Sequence, residues 1–394
     1  MKSLLDQPII LLARPSKALS PDDSAARAAG MFRASGVSSL PVVDGGRVVG
    51  VATEASVLSL LASNMREDPS EELASRVRIS SALREQVAFA HKDMNVGQVV
   101  EVFDSCNDSV LPVVDDYGGF YGMVTRTEIL AYLSGSLRPS NVAGMATPLG
   151  VYLTNGSVRA GAGDLGLLLS GITLGLNMVA AWIIIYAVAF GLQKLTGVPF
   201  PSLLSGSPYL SPKWLSLISW MPPALAVVLM MGLIRLSPLS GYHAAEHMTV
   251  HAMEAGEELT PESVERMPRV HPRCGTNFLA AALVFIIIAE SSTSEVAMLM
   301  AMVAVIIGWR TVGGFMQQIA TTKTPSRKQL ENGVRVGNEL IARYREQPSY
   351  QAYGLARIWN SGLLQSMGGL ALTSGFAELA SNLLRHKFGI ILPF

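Results

Sequence analysis

Leu-Pro-Val-Val-Asp stands at residues 40–44 and again at residues 111–115, and this repeat decides the fold of the front half of the chain. Each copy is a short apolar run rich in valine, followed by turn-forming residues, which is the pattern of a buried strand that ends in a turn. A second apolar run follows in each copy and ends on a threonine, where a helical pattern begins. The sequence therefore predicts two copies of one α+β unit, at residues 10–62 and 88–133.

The repeated Leu-Pro-Val-Val-Asp and Gly-x-x-Thr signatures resemble those of a tandem pair of CBS domains, a Bateman module, over roughly residues 8–135. The resemblance implies an adenine nucleotide (AMP, ADP or ATP) as ligand, bound by the threonine that ends the second strand and by an acidic residue three positions later. These positions hold Thr53 with Ser56, and Thr125 with Glu128. Ser56 lacks a carboxylate, whereas Glu128 keeps an acceptor for ribose hydroxyls. A dimerising or docking module without a ligand is the alternative.

The back half of the chain carries long apolar segments. Residues 165–193 contain no charge, which is enough for a spanning helix of about 20 residues. Residues 214–234 are also uncharged, although Pro222-Pro223 are expected to kink or break that helix. Residues 274–289 and 296–309 are apolar but short, so whether 277–309 spans or re-enters is left open. The sequence predicts an all-α polytopic membrane domain of about four spanning or re-entrant helices.

Positive charge is concentrated in two of the connections between these segments. The 235–273 connection holds four arginines, and residues 310–345 are rich in lysine and arginine. By contrast, the 193–213 connection has two lysines and the 290–295 connection has two glutamates. The positive-inside rule then predicts that the CBS pair, the His-rich loop and the region after residue 310 all lie in the cytoplasm.

These patterns predict three regions and a small set of partners. The regions are a CBS module at 1–138, a membrane domain at 139–345 with a His-rich cytoplasmic loop at 237–276, and an amphipathic helical extension at 346–394. The apolar segments predict the lipid bilayer as a partner, and the CBS resemblance implies an adenine nucleotide and a second copy of the chain, which would form a homodimer through the CBS pair. The 30 basic and 30 acidic residues balance, so nucleic acid is not an expected partner.

Coordinating side chains cluster in the His-rich loop, where four of the six histidines and one of the two cysteines lie within residues 243–274. On a helix, His243, His247 and Glu254 fall within roughly one 80° sector, as His251 does. His-x-x-Glu-His also matches the inverted zincin motif, in which two histidines bind Zn²⁺ and the glutamate activates water. The pattern predicts metal ligation by His243 and His247, with Glu246 as general base.

Further ligands are expected from the turn that precedes the next apolar run. A turn rich in proline and glycine would bring His271 and Cys274 back over the helix, where they and Glu254 would complete the metal shell. Histidine, cysteine and carboxylate together favour a divalent ion, Zn²⁺ above others. The alternative is that His271 and Cys274 only cap the next helix.

Three blocks of the back half resemble the domain-of-unknown-function family 1385, a set of bacterial integral membrane proteins described as predicted metal-dependent enzymes. They are Gly-Tyr-His-Ala-Ala-Glu-His at 241–247, His-Pro-Arg-Cys-Gly-Thr at 271–276 and Thr-Thr-Lys-Thr-Pro-Ser-Arg-Lys-Gln-Leu-Glu at 321–331. The resemblance covers about residues 141–340. It does not imply a metal-binding role for His251, because the family is not restricted to histidine at that position. It implies functional weight on His243, Glu246, His247, Glu254, His271, Arg273 and Cys274.

The leading hypothesis is a membrane-embedded metal-dependent hydrolase, such as a protease, regulated by nucleotide binding to the CBS pair. A CBS-regulated ion transporter or channel is one alternative, and a non-catalytic assembly factor with a structural metal is another. Glu331 is either a remote carboxylate ligand or a surface residue beside Arg327. The glycine-rich stretch at 144–166 is expected to be a loop that approaches a ligand closely.

Overall fold

The structure is a computed structural model, and the residues it describes form two compact units. It describes residues 4–16, 18–66, 72–84, 87–200, 212–278, 280–282, 285 and 294–388. The first unit comprises Met1–Arg138 with Tyr344–Gln351, and the second comprises Pro139–Arg343 with Ala352–Phe394. The segment expected as a separate extension, 346–394, is therefore shared between the two units.

The first unit contains both copies of the repeat. The first copy consists of α1 (Ala25–Ser35), β1 (Ser39–Asp44), β2 (Arg47–Thr53), α2 (Glu54–Met65) and α3 (Leu73–Arg76). The second consists of β3 (Ala90–His91), α4 (Val96–Ser105), β4 (Val110–Val114), β5 (Phe120–Thr125) and α5 (Arg126–Leu133). Short 3-10 helices lie at Leu4–Asp6, Ile9–Leu11 and Ile79–Ala82.

Equivalent residues of the two copies pair in the same register. Leu40 lies opposite Ala52 in the antiparallel β1–β2 pair, and Leu111 lies opposite Val124 in β4–β5. Every residue of β4 is buried, as expected for an apolar run without polar alternation. The predicted α+β tandem fold is confirmed.

The second unit is mainly helical but opens with a sheet. Strands β6 (Ala143–Thr147), β7 (Gly150–Thr154) and β8 (Arg159–Gly161) form an antiparallel sheet in the order β6-β7-β8. The helices are α6 (Gly163–Thr196), α7 (Pro212–Leu236), α8 (Leu239–Glu254), α9 (Pro261–Glu265), α10 (Glu295–Met316), a π-helical turn (Gln317–Thr321), α11 (Arg327–Glu346), α12 (Gly354–Asn360) and α13 (Leu363–Phe388).

This sheet corrects the expectation of an all-α domain with a glycine-rich loop at 144–166. Most of the glycines belong to the strands and turns of this sheet, where they allow sharp turns and close contacts with neighbouring residues. Gly150 has φ +125, a conformation that other residues rarely adopt, and it starts the completely buried strand β7. The buried side chains Val151 and Leu153 then join Ala244 and Leu340 in one apolar core.

Two described helices are long and apolar enough to cross a membrane, Gly163–Thr196 and Met298–Thr321. The pair Pro222–Leu236 and Leu239–Glu254 is bent by 74° and would make a third if it formed one broken span. The described residues therefore hold two or three candidate spans, against about four expected. Most of the 274–289 segment lies outside the described residues. Pro222-Pro223 do not end α7, which continues through them to Leu236.

Helix α13 packs closely along α6 through glycines. A Cβ atom added to Gly171 would overlap the backbone carbonyl oxygen of Ser366, and one added to Gly369 would overlap that of Leu168. Gly175 likewise faces the Thr373 side chain. The polar side chains of Gln365 and Thr373 are accordingly buried on a helix that packs against protein.

Gly171→Ala is expected to destabilise the second unit by about 1–3 kcal/mol, because a backbone atom of α13 would have to move to admit the methyl group. The matched control is Gly191→Ala in the same helix, where an added Cβ meets no atom within 4 Å. The control should be neutral or slightly stabilising, since alanine favours helix over glycine. Thermal unfolding in detergent measures both, and equal melting temperatures would contradict the close packing.

Candidate metal centre

Helix α8 presents its histidines at intervals of four residues, so their side chains lie on one face. Most residues of this helix are buried, and among them His247 is only 2% exposed and Glu246 only 5%. The rings of His243 and His247 have centroids 4.4 Å apart. The positive-inside pattern predicts this helix at the cytoplasmic surface rather than within the bilayer.

Hydrogen bonds to backbone carbonyls orient the two imidazoles. His243 donates from Nδ1 to the carbonyl oxygen of Thr321 at 3.0 Å, and His247 donates from Nδ1 to that of Arg269 at 2.7 Å. Because a carbonyl oxygen only accepts, both Nδ1 atoms carry the hydrogen, and in the neutral rings both Nε2 atoms keep a free lone pair. This outer-shell arrangement is the one that metal-binding histidines use.

Cys274 completes a group of three possible ligands. Its Sγ lies 3.3 Å from Nε2 of His243, and the ligand atoms of His243, His247 and Cys274 all lie within 4.8 Å of one another. Burial lowers the pKa of His247 and raises the pKa of the Cys274 thiol. The imidazole is therefore ready to bind a cation, and the thiol would release a proton on doing so.

Glu246 lies beside this group. Its Oε2 is 3.7 Å from Nε2 of His247. Burial raises the pKa of Glu246 to about 8, with Cys274 adding to the rise and His243 opposing it. A carboxyl group held near neutral pKa beside possible metal ligands suits a general base.

Gly144 of β6 lies directly against this carboxyl group, where an added Cβ would be 2.6 Å from Cγ and 2.7 Å from Oε1 of Glu246. Gly144→Ala should force the buried Glu246 side chain, from Cγ onward, away from its present position. Misplacement by about 1 Å is expected to lower activity about 10²-fold. Hydrolysis rate, zinc content and melting temperature test this. Gly232→Ala, which has open space, is the control, and wild-type activity in Gly144→Ala would refute the positioning role.

Glu254 and His271 lie in a neighbouring group with His251, which the family resemblance had set aside. His271 accepts a hydrogen bond at Nδ1 from the Arg273 amide at 3.3 Å, so its Nε2 carries the hydrogen and faces Glu254 Oε2 at 3.5 Å. Burial lowers the pKa of His271 to about 4. Glu254 also pairs with the Arg273 guanidinium. The single predicted shell is thus divided: Cys274 joins His243 and His247, while Glu254 and His271 form the second group.

Two residues that sequence reasoning missed support both groups from the π-helical turn. Gln317 accepts from the His271 amide at 2.8 Å and donates to the Asn277 side chain at 2.6 Å, and Thr321 supplies the carbonyl that holds His243. The available sequence signal was Gln317-Gln318 near the end of an apolar helix, since a glutamine that the fold buries, as it buries Gln317, needs hydrogen-bond partners. Glu331, by contrast, is exposed and paired with Arg327, as in the surface alternative.

The predicted nucleotide contacts in the first unit serve as helix caps. The hydroxyls of Thr53 and Thr125 accept from the amides of Ser56 and Glu128 at 3.0 and 3.1 Å. The Glu128 carboxylate accepts from the Thr125 amide at 3.0 Å and also pairs with Arg14. The Thr-x-x-[Ser/Glu] pattern is therefore a capping box in both copies.

Comparison with known proteins matches the two halves to different families. Residues 10–63 and 79–135 match the CBS domain model, and residues 176–312 match the model of a protein of unknown function, DUF1385. An uncharacterized protein of Methanocaldococcus jannaschii, MJ1232, is 28% identical over 123 residues, which are 31% of this chain and 38% of that protein. The chain thus spans well under half of that relative's length.

Solved structures resemble the CBS region. The CBS domain pair of protein MJ0100, in complex with 5′-methylthioadenosine and S-adenosyl-L-methionine, is 26% identical and covers 33% of this chain and 98% of that one, with a TM-score of 0.28. CBSX2 of Arabidopsis thaliana, in complex with AMP, is 19% identical and covers 33% and 97%, with a TM-score of 0.28. The chain joins a tandem pair of CBS domains, at residues 10–135, to a region of the DUF1385 family, at residues 176–312.

Proposed function

We propose that the protein is a membrane-associated, metal-dependent hydrolase in which His243, His247 and Cys274 hold the ion and Glu246 is the general base. The observation that carries this proposal is the pair of imidazoles fixed by carbonyl oxygens. Their unprotonated Nε2 atoms lie close to a thiol, and a buried carboxyl group lies 3.7 Å from one of them.

Zn²⁺ fits this donor set best, because zinc in proteins is typically bound by three or four ligands that are mostly histidine nitrogen and cysteine sulfur. Three protein ligands are characteristic of catalytic zinc, which keeps a position for water or substrate, whereas structural zinc has four. The ligands also line a cavity of about 340 Å³, which leaves room for a substrate. A bound divalent ion would supply Lewis acidity at this position.

The residues of the chain supply the proton transfers. Glu246 removes a proton from a water molecule in the cavity and returns it to the leaving group, which its raised pKa allows near neutral pH. The carbonyls of Thr321 and Arg269 keep the two imidazoles in one tautomer and one orientation during turnover. Arg273 also lines the cavity, and its guanidinium pairs with Glu254.

Zinc-loaded full-length protein in detergent, assayed on a panel of fluorogenic esters and peptides, tests the hydrolase. Hydrolysis should disappear on chelation and return when zinc is added. Protein that carries stoichiometric zinc but cleaves no member of the panel would count against catalysis and favour a structural metal. A CBS-regulated transporter would instead show metal flux in vesicles without hydrolysis.

Regulation by adenine nucleotide is the second part of the proposal, and the CBS family match supports it. We expect the cleft beside Thr125 and Glu128 to bind, because only that copy retains a carboxylate at this position. Calorimetric titration of the full chain with AMP, ADP and ATP should give one site, lost in Glu128→Ala. If none of the three nucleotides gives a heat of binding, the CBS pair is better explained as a docking or dimerising module.

The proposed setting is the bacterial inner membrane, with the CBS pair and α8 on the cytoplasmic side and a homodimer formed through the CBS pair. The two apolar helices of spanning length and the basic connections support this setting. Cell fractionation and analytical ultracentrifugation in detergent would test it, and a soluble monomer would overturn it.

A further inference from the structure

The cavity at the metal centre is lined by two chemically different sets of residues. One set comprises the side chains of His243, Glu246, His247 and Cys274. The other set is apolar and comes from three different helices. We call it the apolar wall, and it consists of Leu174 of α6, Met230, Met231 and Ile234 of α7, and Met316 of α10.

Two of the three helices of the apolar wall contain candidate membrane spans, and the third, α7, belongs to the bent pair. Leu174 belongs to the span 163–196 and lies about 16 Å along it, at 1.5 Å per residue. Met316 belongs to the candidate span 298–321. Leu174 is 38% exposed, so this wall is not closed by the described residues. A ligand that reached His243, Glu246 and Cys274 from the bilayer would therefore pass along the apolar wall.

The composition of the apolar wall favours a flexible aliphatic ligand. The cavity of about 340 Å³ lies within the size range of small-molecule sites. Three of the five residues of the apolar wall are methionines, whose flexible thioethers adapt to an extended alkyl chain.

We propose that this cavity binds one acyl chain of a lipid-like ester and places the ester carbonyl beside Glu246. The proposal rests on the proposed function for its chemistry but not for its binding step. In the reaction, water adds to the acyl carbon and the acyl C–O bond breaks. The departing alcohol takes the proton that Glu246 removed from the water, which leaves a carboxylic acid.

Photo-crosslinking tests the binding step without catalysis. Metal-stripped full-length protein in detergent is irradiated with a dodecanoate methyl ester that carries a terminal diazirine, and adducts are mapped by mass spectrometry. We expect adducts at Met230, Met231, Ile234 or Met316, reduced at least tenfold by excess unlabelled methyl dodecanoate. Adducts spread over all lipid-exposed helices and insensitive to the competitor would overturn the proposal.

Two cavity-filling variants on different helices, Met231→Trp and Met316→Trp, should each lower these adducts at least tenfold while zinc content stays unchanged. Leu176→Trp, on an exposed position of α6 outside the cavity lining, should leave them unchanged. Unchanged labelling in both filled variants, or competition by an apolar helical peptide but not by the ester, would refute the acyl site. Specific labelling without any zinc-dependent hydrolysis would refute the proposed function and leave the acyl site standing.

Discussion

Glu246→Gln is expected to lower turnover by about 10²–10⁴-fold, the usual contribution of a general base, while zinc content stays at the wild-type level. Glutamine has nearly the same shape but accepts no proton at neutral pH. It also removes a carboxyl group whose pKa is raised by burial, so the variant should fold at least as well as the wild type.

The measurement pairs hydrolysis rate with zinc analysis of the same preparation. Glu331→Gln is the matched control, because Glu331 is exposed and paired only with Arg327 among the described contacts. It should behave as wild type in both assays. A Glu246→Gln protein that keeps more than half of the wild-type turnover would remove Glu246 from the mechanism.

His247→Ala is expected to abolish tight zinc binding, with a loss of affinity larger than the roughly 10–100-fold that follows removal of an outer-shell partner. The side chain is almost fully buried, and its free Nε2 belongs to the three-ligand group with His243 and Cys274. Competition with a chromogenic chelator measures the affinity, and thermal unfolding confirms that the variant is folded.

His251→Ala is the sharpest control for this variant, since it removes an imidazole one helical turn further along the same face. His251 donates from Nε2 to the Val270 carbonyl at 2.9 Å and belongs to the second group. Its loss should lower zinc affinity by no more than the roughly 10–100-fold that follows removal of an outer-shell partner. Equal losses in both variants would mean that the two groups act as one site.

The spacing of residues along one helix made the central part of the candidate site predictable from the sequence. His243, Glu246 and His247 lie within one and a half turns of a helix, so helical geometry alone brings them together. The division of the remaining residues depended on contacts far apart in sequence. His271 is held by Gln317, and the path of its turn decides that Cys274 reaches His243 while His271 reaches Glu254.

The strands of the CBS pair were predictable because their apolar runs repeat, whereas the sheet of the second unit was not. Its glycines were interpreted as loop residues, yet Gly144 is needed where the strand meets Glu246, and Gly150 where the hairpin turns. The π-helical turn at Gln317–Thr321 has no periodic signature in the sequence. Of the roughly four spans expected from apolar length, the described residues hold two or three candidates, and most of the 274–289 segment lies outside them.

X-ray absorption at the zinc K edge of zinc-loaded full-length protein tests the central claim most directly. The account predicts one sulfur neighbour at about 2.3 Å from Cys274 and nitrogen or oxygen neighbours at about 2.0–2.2 Å from two imidazoles and a water or carboxylate. Protein that retains no zinc, or a zinc shell without sulfur, would contradict it.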